Sequence, residues 1–236
     1  MWNNRASYLL AGGCLLFAIA AQAFQEIAYL YWIPPSHTLQ DDLMAYVLPI
    51  DRARAILVMA EILLRIIPFV VIALHCFRAA PLASVIGLIF GVAFIGFEVS
   101  HRSLDLFMVG GWATQFVHAS VPAEREIILQ RFSLWNEMAR AWYFPLMLSL
   151  FLCSCAFAFA LWRDKRRWYW LASLAFSLNA VRLVARLLST FAGQKWLDGF
   201  NNSLYFPTVL IIMSSLTAWF FLMARAQIES NESPSL

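Results

Sequence analysis

Six apolar stretches, at about 8–33, 54–77, 82–102, 141–162, 168–191 and 204–224, alternate along the chain with short polar segments. A helix needs about 20 apolar residues to cross a ~30 Å hydrocarbon core, and each stretch has roughly that length. The pattern predicts an all-α fold, a polytopic membrane helix bundle of about six transmembrane helices in a single domain over 1–236. Before the fourth span, Ile128, Phe132, Trp135 and Met138 recur at helical spacing opposite Glu124, Gln130, Arg131 and Glu137. That spacing predicts an amphipathic helix lying at the interface. The first run stops at Pro34-Pro35, because proline has no N–H to continue a helix. Its start also reads as a signal peptide, with Arg5 and a small-residue site at Ala21-Gln22-Ala23. The apolar character continues about ten residues past Ala23, which favours a retained span.

The polar positions inside these runs are not scattered. Glu98, His101, Arg102 and Asp105 stand at i, i+3, i+4 and i+7, which gathers four ionisable groups on one helix face. Gln22, Gln25, Glu26 and Tyr29 repeat the spacing in the first span, and Asn179, Arg182 and Arg186 follow i, i+3 and i+7 in the fifth. In the second span Arg54, Glu61 and Arg65 share a face, and Pro68 deprives the Leu64 carbonyl of its partner, so a kink is expected beside Arg65. A charge at a helix centre costs about 2.5–3.5 kcal/mol on insertion scales, so Glu61, Arg65, Glu98, Arg182 and Arg186 need compensation. Pairing Glu61 or Glu98 with Arg182 or Arg186 would supply it, as would Glu61 with Arg65 in their own helix. Gly87 and Gly91, at i and i+4, allow a close helix approach.

Composition agrees with a bilayer: 62% of the residues are apolar and 13% charged, against about 25% charged in soluble domains. The net charge of +3 is small and its arginines are dispersed, which excludes a nucleic-acid-binding face. Cys14, Cys76, Cys153 and Cys155 all lie in apolar segments, and Cys153-x-Cys155 lacks redox spacing, so no disulfide framework is implied. Four of the five residues in Arg163-Asp164-Lys165-Arg166-Arg167 are basic, and short loops of this kind stay cytoplasmic. Both termini are then cytoplasmic as well. At 1.5 Å per residue, Glu26, Glu98, Arg182 and Arg186 come to similar heights in the outer half, with Tyr205 at the outer end of the sixth span. In the inner half the main polar exception is His75.

Together these features point to a charged pocket in the outer half of the bundle. Glu26, Arg65, Arg102, Asn179, Arg182, Arg186 and Tyr205 are its candidate ligand-binding residues. Guanidinium forks match phosphate or carboxylate, so an anionic amphiphile such as a lipid, an isoprenoid phosphate or a fatty acid suits it. A second reading is an intramembrane enzyme, with Glu61 and Glu98 as general acid and base and His101 as a proton shuttle. No nucleophile or phosphate-loop motif accompanies them. A third is a non-catalytic subunit that docks a membrane-protein partner. Glu98-x-x-His101 with Asp105 supplies half of a di-iron arrangement, too little to assign a metal, and no cofactor is indicated. Membrane lipids are the general partners.

Ala11-Gly12, Glu26, the stretch ARAILVMAEILLRII over 53–67, and Phe94-Ile95-Gly96-Phe97-Glu98 resemble a bacterial family of six-span membrane proteins known as a domain of unknown function. The resemblance implies six helices and a bacterial inner-membrane location, and no reaction.

Overall fold

The structure is a computed structural model that describes residues 5–232, with side chains for all of these except 200–202 and 228–232. Among the described residues it is helical with no strand, and six helices are long and apolar enough to cross a membrane, which makes this a multi-pass membrane protein. Helix α1 (Arg5–Ile27) ends in a widened turn at Ala28–Trp32 ahead of the two prolines. The short α2 (Leu39–Ala45) opens on a reciprocal cap: Asp41 N–H donates to the Thr38 hydroxyl oxygen, and Thr38 N–H donates to the Asp41 carboxylate.

The second span is split into α3 (Pro49–Leu64) and α4 (Ile66–Cys76) at Arg65, one turn before Pro68, as its sequence predicts. The third, α5 (Pro81–Ser103), runs on through a widened turn at Leu104–Val109 into α6 (Gly110–His118). The amphipathic stretch before the fourth span is present, but not as a separate element. It is the first part of α7 (Pro122–Asp164), 43 unbroken residues and so about 64 Å long, twice the hydrocarbon core. Its projecting portion packs Ile128, Phe132 and Trp135 against Leu43 of α2 and Val109, Ala113 and Phe116, building a satellite core beyond the bundle. Helices α8 (Tyr169–Phe191) and α9 (Trp196–Glu232) follow, and α9 accommodates Pro207 as α7 does Pro145.

Each span packs against its neighbours in sequence, and α9 returns to pack against α1, so the six spans form a closed ring. Close approach is secured where the ring is tightest. A Cβ on Gly87 would lie 2.7 Å from the Phe157 ring, and one on Gly91 would lie 2.7 Å from that of Phe69. Hydrogen there lets α5 seat directly on α7 and α4.

Candidate functional site

The ring encloses a cavity of about 140 Å³ to which all six spans contribute. Its wall changes character along the bundle axis. Toward the end that carries the 163–168 loop it is apolar, with Leu15, Phe69, Ile72, Leu150, Phe176 and Leu216. Toward the other end it is polar, with Gln22 and Gln25 of α1, Arg65, Glu98 and Arg102, Tyr143, Asn179 and Arg182, and Tyr205. The split at Arg65 matters here, since the turn that Pro68 imposes carries this guanidinium at the cavity wall.

The carboxylates find partners within their own helices. Arg65 Nε donates to Glu61 Oε1 at 2.7 Å, and Arg65 Nη2 donates to the same oxygen. Arg102 Nε donates to Glu98 Oε1 at 3.0 Å. The pairing across helices from Glu61 or Glu98 to Arg182 or Arg186 does not occur. Two residues one helical turn apart meet without any tertiary arrangement, and each glutamate takes the arginine four positions on. Glu61 is completely buried and Oε2 has no hydrogen-bond partner among the described residues.

The α8 arginines are different. Arg182 donates through Nε and Nη2 to Asn179 Oδ1 at 3.2 and 3.0 Å and lies over the Tyr205 ring, 5.3 Å from its centroid. Asn179 is in turn fixed by its Nδ2, which donates to the Ser154 hydroxyl at 2.8 Å. Arg186, one turn on, faces Tyr143, and its buried Nε has no partner. No described carboxylate stands within ion-pair distance of either. Of the four guanidinium groups here, Arg65 and Arg102 each contact a glutamate, whereas Arg182 and Arg186 contact no carboxylate.

Of the residues singled out by sequence, Arg65, Glu98, Arg102, Asn179, Arg182 and Tyr205 line the cavity. Glu61 lies behind Arg65, Arg186 stands one turn from Arg182, and Glu26 is half-buried on α1 away from the wall. His101 is turned elsewhere: it stacks on Trp135 with centroids 5.9 Å apart and approaches Asp105 at 3.6 Å. His101 therefore does not join Glu98 at the cavity wall. Asp105 accepts a 3.0 Å bond from Trp135 Nε1, which ties α5 to the satellite core. Beside it a very small cavity between Tyr46, Asp51, Arg54 and Asp105 meets the main one at Arg102. Burial, with Asp105 and Asp51 nearby, pushes the Tyr46 hydroxyl above its ordinary pKa, so it stays protonated there. Arg54 is held by Asp51 at 2.7 Å and lies over Tyr29, 4.6 Å from its centroid. Among the described residues no three His, Cys, Asp or Glu side chains gather closely enough to hold a metal ion.

The structure adds Tyr143 to the wall, and it shows a network at the far end of the ring that sequence reasoning missed. Tyr8 and His75 Nδ1 are 2.6 Å apart, His75 Nε2 meets Asp164 at 2.9 Å, and Arg166 Nε reaches both Asp164 oxygens at 2.8 Å. Arg166 also donates to the His75 carbonyl, and Trp219 stands edge-on to the imidazole with centroids 5.1 Å apart. This network closes the apolar end of the bundle. The one signal for it was His75 in an otherwise apolar half, level with the only acidic residue of the basic loop.

Comparison with family models, with curated proteins and with solved structures yields no match.

Proposed function

We propose that this membrane protein lies in a bacterial inner membrane, with the 163–167 loop cytoplasmic as its basic residues imply, and binds the anionic head of an amphiphile in the central cavity. One observation carries the reading: Arg182 and Arg186 have no carboxylate partner beside a cavity in the membrane-spanning ring. Two charges so placed cost about 2.5–3.5 kcal/mol each, and a bound anion offsets that cost where no protein group does. The guanidinium of Arg182 is already oriented by Asn179 and Tyr205, so little rotamer freedom is lost on binding. The apolar wall beyond it suits a hydrocarbon chain. At about 140 Å³ the cavity is close to one that admits a benzene ring, so it takes the head and only the first few carbons. A longer chain must leave between two spans into lipid.

The test is native mass spectrometry of the protein extracted in mild detergent, with identification of any small molecule that survives lipid exchange. An anionic amphiphile retained by the natural chain and lost from Arg182→Gln is the expected result. Retention of no anion would overturn the reading and favour a subunit that docks a membrane-protein partner.

A further inference from the structure

We infer that the cavity selects a doubly charged phosphomonoester head over singly charged carboxylate or sulfate heads. This rests on the proposed binding of an anionic amphiphile and narrows its chemistry. Charge has to balance in a place with little water. Arg65 and Arg102 are each matched by a glutamate on their own helix, and Arg54 by Asp51. What remains is the pair on α8, Arg182 and Arg186, four residues apart on one face.

Like charges at i, i+4 repel, and a monoanion leaves one of the two unbalanced, whereas a phosphomonoester carries nearly two negative charges above its second pKa of about 6. It also offers three acceptor oxygens. Arg182 gives one Asn179 oxygen two bonds and Arg186 keeps a buried Nε without a partner, so both guanidiniums retain donors for those oxygens. The Tyr143 and Tyr205 hydroxyls, at the wall between and beside the two arginines, add neutral donors that do not alter the balance.

The other ionisable groups around the head are accounted for. Glu98 with Arg102 faces it from α5, Glu61 with Arg65 stands on the second span, and α1 presents only Gln22 and Gln25. Asp105 lies beyond Arg102 and is engaged by Trp135 and His101.

The experiment uses the full chain in discs of phosphatidylcholine and titrates hexyl phosphate, hexyl sulfate and hexanoate by calorimetry at pH 8. All three probes carry six carbons. Hexyl phosphate is expected to bind about tenfold more tightly than hexyl sulfate, which has the same tetrahedral shape and one charge. That advantage should shrink toward pH 5, where the phosphate becomes a monoanion, while hexyl sulfate reports any titration of the protein itself. Either Arg182→Gln or Arg186→Gln should remove the preference, and the pH profile of the natural chain tests it without a variant. A fourth probe, short-chain phosphatidate, separates the sources: tighter binding than hexyl phosphate identifies a two-chain lipid head, and weaker binding a single-chain phosphate, both with the same phosphomonoester chemistry. Equal binding of phosphate, sulfate and carboxylate would overturn the selectivity and leave anion binding standing. Failure of all probes to bind would overturn both.

Discussion

Asp164 sits where a carboxylate is least expected, at the C-terminus of α7, whose unsatisfied carbonyls disfavour negative charge. Its side chain is 4% exposed, and it is held there by the Arg166 guanidinium at 2.8 Å and by His75 Nε2 at 2.9 Å. Asp164→Asn keeps the volume and removes the charge. One oxygen remains to accept a neutral bond, and the new NH₂ group faces donors. Charge-assisted bonds contribute about 1.5–3 kcal/mol each, so losing one or two of them predicts a destabilisation of about 2–4 kcal/mol. The assay is reversible unfolding in mixed micelles, following tryptophan fluorescence as the fraction of denaturing detergent rises. A double-mutant cycle with His75→Gln isolates the pair, with a coupling of about 1 kcal/mol or more expected for groups in direct contact. A single-variant change under about 0.5 kcal/mol together with zero coupling would refute the claim that this network locks the end of the ring.

Two further predictions test the loop regions. The Thr38 hydroxyl and the His37 and Thr38 N–H groups hold the Asp41 carboxyl below its ordinary value near 3.9, so its contribution to the α2 cap is present above that value. It is lost as pH falls through the lowered folded value. Helical chemical shifts over 39–45 should therefore decay below about pH 4, and Asp41→Asn should abolish that dependence; decay unchanged in the variant would assign it to another group. Orientation can be read from the two lysines, exposed Lys165 and Lys195, which lie at opposite ends of α8. An impermeant amine reagent should label Lys195 and spare Lys165 in intact cells, and the reverse pattern would invert the topology.

What was legible in the sequence was whatever a helix settles by itself. Runs of apolar residues gave the six spans, Pro68 gave the break at Arg65, and the i, i+4 spacing of Glu61 with Arg65 gave a pair that forms; Glu98 with Arg102 has the same spacing, but that pair was not drawn from it. Ring closure was not legible, because nothing in α1 or α9 taken alone names the other as its neighbour. The expectation that Glu61 or Glu98 would neutralise the α8 arginines failed for that reason, since depth along the axis does not give azimuth around it. The length of α7 was hidden as well. Its amphipathic and apolar portions have different patterns but no breaker between them, and Pro145 sits inside the helix without ending it. His75 was noticed, but Tyr8, 67 positions earlier, and Arg166, 91 later, could be joined to it only by the fold.

The contact between α1 and α9 bears on how the molecule is made. Spans enter the bilayer in order from the ribosome, so the first must wait in lipid until the last arrives. Tyr8 meets Trp219 and Phe220 only then, and the cavity has no sixth side before that moment. During synthesis the glutamate–arginine pairs of the second and third spans travel already neutralised within their own helices, whereas Arg182 and Arg186 enter without a matching acid. An anion that binds these two arginines would therefore also favour the closed ring, with α9 in place, over the open one.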